Sequence, residues 1–430
     1  MKIVHLSTYD DGGGAIRSCW RLHAGLVRLG LDSSLFVKRK FGTDPFVKGI
    51  EPDSGMVPRL FHRLSKKNAR RRLKPYRETM LKGYSFSDER SDLARETAAQ
   101  LPSAELYNLH WVAGMIDFPT LFRAIPMQTP MVWTLHDMNP FTGGCHYDLM
   151  CGKYTQRCGA CPMLGSTQNN DLSTEIFQVK QAVLDKIPSE RIKLITPSRW
   201  LAHEVRRSAL FKKFTVETIP YGIDTEAFAP RDKAHARSVL GIPPKARVVL
   251  FAAAGLHFTI KGFGLLCQAL SALKARGGFD DLVLVSMGRE KPEQTLPFPH
   301  IHLGYVEHER LLSLIYSSAD VYAISSLQDN LPNVVLEAMA CGVPVAGFEV
   351  GGIPDMVRTN GAQATGRLAP AGDTVGLAEV IAQLLNMTEP ARAAMGVEAR
   401  KVALAEYTLE VQALRYQTLY ERLLSAPASN

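Results

Sequence analysis

The sequence contains no uninterrupted apolar stretch of about 18 residues, the length that a transmembrane helix requires. The segment Met1–Leu6 runs directly into an apolar, strand-like sequence, without the longer apolar region and small-residue cleavage site of a signal peptide. Internal repeats and low-complexity segments are also absent. With 46% hydrophobic and 21% charged residues, the composition is typical of a soluble globular protein. We therefore expect a cytoplasmic location.

Acidic residues are missing from residues 61–77, which contain eight lysines and arginines. Residues 1–222 contain 32 basic and 21 acidic residues, a net charge of +11, whereas residues 223–430 contain 18 and 21, a net charge of −3. Such a basic run is either a solvated helix or loop face or a surface that attracts anions such as lipid headgroups. A nucleic-acid partner is not expected, because no recognised nucleic-acid motif accompanies the charge.

Cysteine is concentrated in one short loop, residues 145–161, which contains four of the seven cysteines. The four are Cys145, Cys151, Cys158 and Cys161. A disulfide framework is not expected in a reducing cytosol. Four thiolates so close together can form a tetrahedral structural zinc site, with His146 as a substitute ligand, that holds a loop without its own core. Four unligated thiols are the equal alternative, and a catalytic metal is not implied.

Short β-rich runs alternate with amphipathic stretches, a pattern typical of parallel sheets flanked by helices. Because 430 residues exceed what one hydrophobic core usually organises, we expect two domains. The segment Pro220–Asp224 resembles a hinge, and a second alternation of strands and helices follows it. We predict an α/β protein with two Rossmann-like, doubly wound domains, residues 1–222 and 223–408, and a last helix over residues 409–424.

The segment that follows the predicted strand Asp320–Ile324 indicates a ligand site. In doubly wound domains, ligands bind at the carboxyl ends of the strands, close to helix N-termini. Backbone N–H groups at the start of the predicted helix Asn333–Cys341, together with the helix dipole, favour a diphosphate. Glu337 lies one turn into this helix, where its carboxylate can accept hydrogen bonds from two ribose hydroxyls. Residues 351–354, Gly-Gly-Ile-Pro, predict a second tight turn where backbone approaches a ligand closely.

Residues 326–342, followed by residues 351–354, resemble the donor site of the retaining glycosyltransferases of family 4. The resemblance implies the GT-B fold, in which two Rossmann-like domains face each other across a cleft. That family usually has two acidic residues separated by seven others, and Asp329 and Glu337 have this spacing here. In the family, the first acid contacts the transferred sugar and the second contacts the nucleotide ribose. Asp329 is shorter than the usual glutamate, which leaves the identity of the sugar open.

Further residues match the family in the expected places. Lys261 matches the lysine that neutralises the donor pyrophosphate, a task for which a point charge suffices. An arginine commonly precedes that lysine by five residues, but this chain has Leu256, and Arg289 is the candidate replacement. The implied donor-binding residues are Gly12, Gly13, Lys261, Arg289, Tyr305, Asn330, Leu331, Pro332, Asn333 and Glu337.

His136 matches the active-site histidine of the family at the end of a strand. The implied catalytic residues are therefore His136, Asp329 and Lys261. Candidates on the acceptor side are His110, Trp111 and Arg199. Core packing is the alternative for His110 and Trp111, and the role of Arg199 is undecided.

The resemblance implies a retaining glycosyltransferase of hexosyltransferase type, with no cofactor for catalysis. Residues 1–222 would bind the acceptor, residues 223–408 the nucleotide-sugar donor, and the last helix would pack back on the first domain. The basic first domain favours a glycan or lipid-linked glycan acceptor in cell-surface polysaccharide biosynthesis, with peripheral contact at the inner face of the membrane. Alternatives are a non-catalytic nucleotide-sugar or glycan-binding protein, and a nucleotide-sugar epimerase of GT-B fold.

Overall fold

The computed structural model describes residues 1–53, 55–291 and 296–425. The chain forms two compact units. The first consists of Met1–Ile219 together with the chain from Gln412 onward, and the second is Pro220–Val411. The predicted domain boundaries, after residues 222 and 408, each differ from these divisions by three residues.

Among the described residues of the first unit, seven strands form one parallel sheet in the order β3-β2-β1-β4-β5-β6-β7. Strands β4 and β5 are completely buried, as expected for a sheet covered by helices on both faces. The strands are β1 (Lys2–Tyr9), β2 (Asp32–Arg39), β3 (Val47–Gly49), β4 (Leu106–Leu109), β5 (Met131–Thr134), β6 (Ile192–Thr196) and β7 (Val216–Thr218). The helices are α1 (Gly14–Arg28), α2 (Met56–Leu73), α3 (Ala94–Ala99), α4 (Phe118–Ala124), α5 (Leu172–Leu184) and α6 (Arg199–Arg207).

In the described part of the second unit, six strands form a parallel sheet in the order β10-β9-β8-β11-β12-β13. The interior strands β9 and β11 are buried along their whole length, within one large apolar core. The strands are β8 (Arg247–Ala252), β9 (Leu282–Met287), β10 (His300–His302), β11 (Val321–Ile324), β12 (Val345–Phe348) and β13 (Gly366–Ala369). The helices are α7 (Lys233–Val239), α8 (Phe263–Arg276), α9 (Glu309–Ser318), α10 (Asn333–Ala340), α11 (Ile353–Met356), α12 (Thr374–Leu385) and α13 (Glu389–Glu406).

The last helix, α14 (Leu409–Ser425), packs against the sheet of the first unit. Its buried residues Tyr416 and Tyr420 belong to the same apolar cluster as residues of β1, β4 and β5. Tyr420 Oη accepts a hydrogen bond from Asn108 Nδ2 at 2.7 Å, and Tyr416 Oη bonds Thr134 Oγ1 at 2.9 Å. These bonds satisfy polar groups that would otherwise be buried without partners.

The basic run of the sequence forms most of α2. Two of its basic side chains form ion pairs, Arg72 with Asp88 at 2.7 Å and Lys66 with Asp92 at 3.2 Å, and Asp92 is shared with Lys38. Within the described ranges, the structure contains no helix with the length and apolar character needed to cross a lipid bilayer.

Candidate functional site

The loop that follows β8 and the loop that follows β11, both in the second unit, are joined by hydrogen bonds. Leu327 N donates to Ile260 O at 2.8 Å, and Ser325 Oγ donates to Gly262 O at 2.7 Å. Gly262 has φ 69°, and a Cβ atom there would lie 1.8 Å from Ser325 O. Only glycine fits this close backbone approach, which holds the neighbouring Lys261 beside the segment that follows β11.

Lys261 and Asp329, both predicted catalytic residues, form an ion pair. Lys261 Nζ lies 2.7 Å from Asp329 Oδ2, with the lysine side chain 34% exposed and the aspartate 8% exposed. The carboxylate also accepts from Ser326 Oγ at 3.2 Å and from Asn330 N at 3.1 Å. The ammonium group of Lys261 is therefore accessible but already paired with a fixed carboxylate.

The turn after β12 packs on the backbone of Asp329. Gly351 has φ 56°, and a Cβ atom there would lie 1.8 Å from Asp329 O. Gly352 N donates to the same oxygen at 3.0 Å. The predicted tight turn is thus in direct contact with the first acid of the motif, and it fixes the position of that acid through the main chain.

The helix α10 begins at Asn333, one short turn after Asp329. Pro332 precedes the helix, and its carbonyl accepts from Val335 N at 3.0 Å. The side chains of Asn330, Leu331 and Asn333 are buried, and Leu331 belongs to the core of the second unit. These predicted donor-binding residues thus form the turn that positions the N-terminus of α10. Backbone N–H groups at a helix N-terminus favour the binding of anions.

Glu337 is buried and is anchored by a tyrosine that the sequence analysis missed. Tyr316 Oη, on α9, donates to Glu337 Oε2 at 2.9 Å. Burial, and then the negative charge of Glu337, raise the pKa of Tyr316 well above its ordinary value, so the hydroxyl remains a donor. This pairing joins residues 21 positions apart on different helices, and no sequence motif announces it.

Arg289 and Tyr305, two further donor-binding candidates, are in contact. The Arg289 guanidinium carbon lies 4.5 Å from the centroid of the Tyr305 ring, a cation–π arrangement. Leu256, at the position where the family usually has arginine, is buried, and its side chain packs against the backbone of Gly288. The side chain of Leu256 therefore makes an apolar contact close to Arg289, the residue predicted to replace the arginine that the family usually has at position 256.

In the first unit, the predicted glycine-rich turn connects β1 with α1. Gly12 has φ 145°, a conformation that favours glycine, and Gly13 is the N-cap residue of α1. A Cβ atom at Gly13 would meet no heavy atom of the described residues within 4 Å. The turn therefore leaves room for a ligand close to the backbone at a helix start.

His136 and His110 are brought together at the ends of β5 and β4. His110 Nδ1 lies 3.0 Å from His136 Nε2, and both side chains are buried. Burial lowers the pKa of His136 to about 4, so the ring is neutral at pH 7. Trp111 Nε1 donates to Asp137 Oδ2 at 2.9 Å. Both acceptor-side candidates thus make specific hydrogen bonds to the segment 136–137 rather than only packing in the core.

His146, the candidate substitute zinc ligand, forms hydrogen bonds through both ring nitrogens. Its Nδ1 lies 2.6 Å from Asp137 Oδ2, and its Nε2 lies 2.8 Å from Ser87 Oγ, so both ring nitrogens are engaged. Burial opposes ionisation of Asp137, but the charge of His146 and the hydrogen bonds outweigh it and lower the pKa of the carboxyl group. The sequence indicates the Asp137–His146 pair only weakly, because it shows no more than an aspartate after His136 and a histidine nine positions later.

Arg199, the last acceptor-side candidate, is exposed at the first position of α6. The N-cap residue Ser198 accepts from Leu201 N at 3.1 Å and begins the helix. The role of Arg199 stays a prediction.

The cysteine-rich loop has an unusual backbone. The non-glycine residues of the described chain with positive φ all lie in it, namely Leu149, Met150 and Ala160. Gly143 N donates to Cys158 Sγ at 3.2 Å, and burial raises the pKa of Cys158 to about 12. In the described ranges, no three histidine, cysteine or acidic side chains are arranged to hold a metal ion. Structural zinc therefore stays a prediction, which zinc quantification in reductively purified protein decides.

Comparison with solved structures defines the class of fold. Sucrose-phosphate synthase from Thermosynechococcus elongatus superposes with a TM-score of 0.66 at 20% identity, covering 99% of this chain and 100% of that one. HepE from Anabaena, in complex with UDP and glucose, has a TM-score of 0.63 at 16% identity, with 98% and 100% covered. These similarities concern the fold alone, and they confirm the predicted α/β fold with two Rossmann-like domains of GT-B type.

Comparison of sequences then narrows the class. A family model described as glycosyl transferases group 1 matches residues 246–387, which lie in the second unit. A D-inositol 3-phosphate glycosyltransferase of Saccharomonospora viridis is 32% identical over 204 residues, 44% of this chain. A GDP-mannose-dependent monoacylated alpha-(1-6)-phosphatidylinositol monomannoside mannosyltransferase of Corynebacterium glutamicum is 28% identical over 293 residues, 64% of this chain.

The alignments span 46% of the first relative's length and 73% of the second's. The predicted similarity to glycosyltransferase enzymes is confirmed at the level of group 1 glycosyl transferases. The assignment to family 4 and to polysaccharide biosynthesis stays a prediction.

Proposed function

We propose that the protein is a retaining glycosyltransferase that moves a sugar from a nucleotide-sugar donor, bound by the second unit, to a hydroxyl group of an acceptor. The observation that carries the proposal is the pair formed by Lys261 and Asp329, 2.7 Å apart at the carboxyl ends of the strands and directly before α10. Both residues lie in the segment that matches group 1 glycosyl transferases.

The proposed reaction breaks the bond between the anomeric carbon and the diphosphate oxygen, and the electron pair goes to the diphosphate. The acceptor oxygen bonds to the same face of that carbon, and its proton goes to the leaving diphosphate. Negative charge develops on the leaving group, where the Lys261 ammonium and the backbone N–H groups at the start of α10 stabilise it. In this proposal Asp329 contacts the transferred sugar and Glu337 binds the ribose. His136 is the proposed active-site histidine of the first unit.

The donor is tested by measuring nucleoside diphosphate release from a panel of UDP-, GDP- and dTDP-sugars. We expect release from one nucleotide class and, for Glu337→Gln, a loss of kcat/KM of about 10-fold to 100-fold, the size of a hydrogen bond to a charged group. The matched control is Glu389→Gln, an exposed residue at the start of α13. Donor binding without release, even with membrane extract as a source of acceptor, would favour a nucleotide-sugar-binding protein.

We further propose that the acceptor is a lipid-linked glycan, presented at an anionic membrane surface. On α2, Met56, Leu60 and Leu64 are 89%, 58% and 50% exposed. Arg63, Lys67 and Arg71 line a groove there, three or seven residues after the apolar ones, which places both sets on one side of the helix. Apolar and basic side chains on one helix face favour binding to the interface of anionic membranes. The relative from Corynebacterium glutamicum is named for a phosphatidylinositol-linked acceptor, which supports the proposal.

Vesicle co-sedimentation tests the membrane proposal. We expect binding to vesicles that contain anionic phospholipid and little binding to vesicles of phosphatidylcholine alone. Replacing Arg63, Lys67 and Arg71 with glutamine removes about 1 kcal/mol of attraction per charge and abolishes the difference. The control replaces three exposed basic residues elsewhere with glutamine, namely Lys212, Lys245 and Arg415. Equal binding by both triple variants would contradict a role for α2.

A further inference from the structure

Three buried histidines form a continuous hydrogen-bonded row across neighbouring strands of the first unit. His5 belongs to β1, His110 follows β4 and His136 follows β5, and these strands are adjacent and parallel. His5 Nδ1 lies 2.9 Å from His110 Nε2, and His110 Nδ1 lies 3.0 Å from His136 Nε2. Each contact joins the Nδ1 of one ring to the Nε2 of the next, so the row has one direction.

All three rings are neutral at pH 7. Burial is the main cause, and it lowers the pKa of His5 and of His110 well below the ordinary value of histidine. It lowers the pKa of His136 to about 4. A neutral imidazole has one N–H donor and one lone-pair acceptor, so the position of the proton on one ring determines its position on the next.

His5, at one end of the row, determines on which nitrogen each ring carries its proton. His5 Nε2 is buried and has no hydrogen-bond partner among the described residues. Buried N–H groups without an acceptor are rare in proteins, and a lone pair without a donor is tolerated better. His5 Nε2 therefore carries the lone pair, and His5 donates through Nδ1 to His110 Nε2. His110 in turn donates through Nδ1 to His136 Nε2.

We infer that His5 and His110 are positioning residues that hold His136 in the tautomer protonated at Nδ1, with its Nε2 occupied as an acceptor. Through Nδ1, His136 then acts only as a hydrogen-bond donor, and its Nε2 does not serve as a general base. Aligned hydrogen bonds in a row polarise and strengthen one another, so the two remote rings also limit rotation of the third. The catalytic meaning of this inference rests on the proposed function, whereas the tautomer does not.

Nuclear magnetic resonance of the full-length protein with ¹⁵N-labelled histidine tests the tautomer directly. We expect long-range ¹⁵N–¹H correlations at pH 7 to show His136 protonated at Nδ1, with His5 and His110 protonated at Nδ1 as well. Signals are assigned from spectra of single variants of these three histidines. Protonation of His136 at Nε2, or a charged imidazolium at any of the three, would overturn the inference. This result does not depend on activity, so it stands apart from the proposed function.

Two variants of His5 test the effect on catalysis. His5→Leu removes the donor to His110, and we expect kcat to fall about fivefold, the size of one net hydrogen bond, with little change in the donor KM. His5→Asn keeps a side-chain N–H close to the position of Nδ1, and we expect it to restore most of the loss. Equal kcat values for the two variants, with both folded by circular dichroism, would show that the row has only a packing role.

Discussion

Asp329 is one methylene shorter than the glutamate that the family resemblance leads one to expect, and its carboxylate bonds Lys261 at 2.7 Å. The sequence allowed both residues to be predicted because each lies in a motif. It did not allow their ion pair to be predicted, because 68 positions separate them and only the loop contacts across Gly262 bring them together. Tyr316 and His5 were missed for the same reason, since their partners lie on other elements.

His23 provides a test of charge burial at a single residue. Its Nδ1 bonds Ser33 Oγ at 2.8 Å, and burial lowers its pKa to about 4, with Asp44 acting in the opposite direction and the ring of His5 packed beside it. The unfolded chain, with a histidine pKa of about 6.5, binds more protons than the folded one between pH 6.5 and pH 4. Stability therefore falls as the pH falls through this window.

We predict that His23→Asn, which keeps a polar group for Ser33, makes this decline less steep, by at most about 1.4 kcal/mol per pH unit. Urea unfolding at pH 7.5, 6 and 5 measures the free energy of unfolding for both proteins. His5, His110 and His136 also have lowered pKa values, so the variant still loses stability in acid. Identical slopes for the two proteins would contradict the assignment of a neutral His23.

At the scale of secondary structure, glycine and proline allowed the elements around the site to be predicted closely. The expected helix Asn333–Cys341 is observed as Asn333–Ala340, and the expected strand Asp320–Ile324 as Val321–Ile324. Pro332 before the helix and Gly342 after it are strong boundary signals. The cysteine-rich loop offered no such guide, because the positive φ angles of Leu149, Met150 and Ala160 follow from tertiary packing rather than from residue type.

Gly351 tests the contact between two of these elements. We predict that Gly351→Ala destabilises the protein by about 1–3 kcal/mol more than Gly361→Ala, because its Cβ would overlap Asp329 O. Gly361 is a matched control, since its φ of 69° is as restrictive as the 56° of Gly351 but a Cβ there meets no described atom within 4 Å. Denaturant titration compares the variants. Equal destabilisation would show that the Gly351 turn can move away from Asp329.

At the scale of the whole molecule, the alternation of strands and helices was enough to predict two doubly wound units. The strand orders required the structure, because parallel sheets of the same length and composition can be wound in several orders. The contact of α14 with the first unit was expected only from the family resemblance. The contact depends on the hydrogen bonds of Tyr416 to Thr134 and of Tyr420 to Asn108. These partners lie about 300 positions apart in the sequence, so local sequence patterns cannot predict the bonds.

If Lys261 stabilises the departing nucleoside diphosphate, as we propose, its replacement slows turnover of the donor. At saturating donor, with the nucleotide-sugar identified by the panel, we predict that Lys261→Met lowers kcat for nucleoside diphosphate release by about 100-fold to 1000-fold. The control Lys245→Met, at an exposed position of the same unit, should retain the wild-type rate. A kcat for Lys261→Met within about twofold of wild type would contradict this role of Lys261, because the charge that develops on the leaving group would then be stabilised elsewhere.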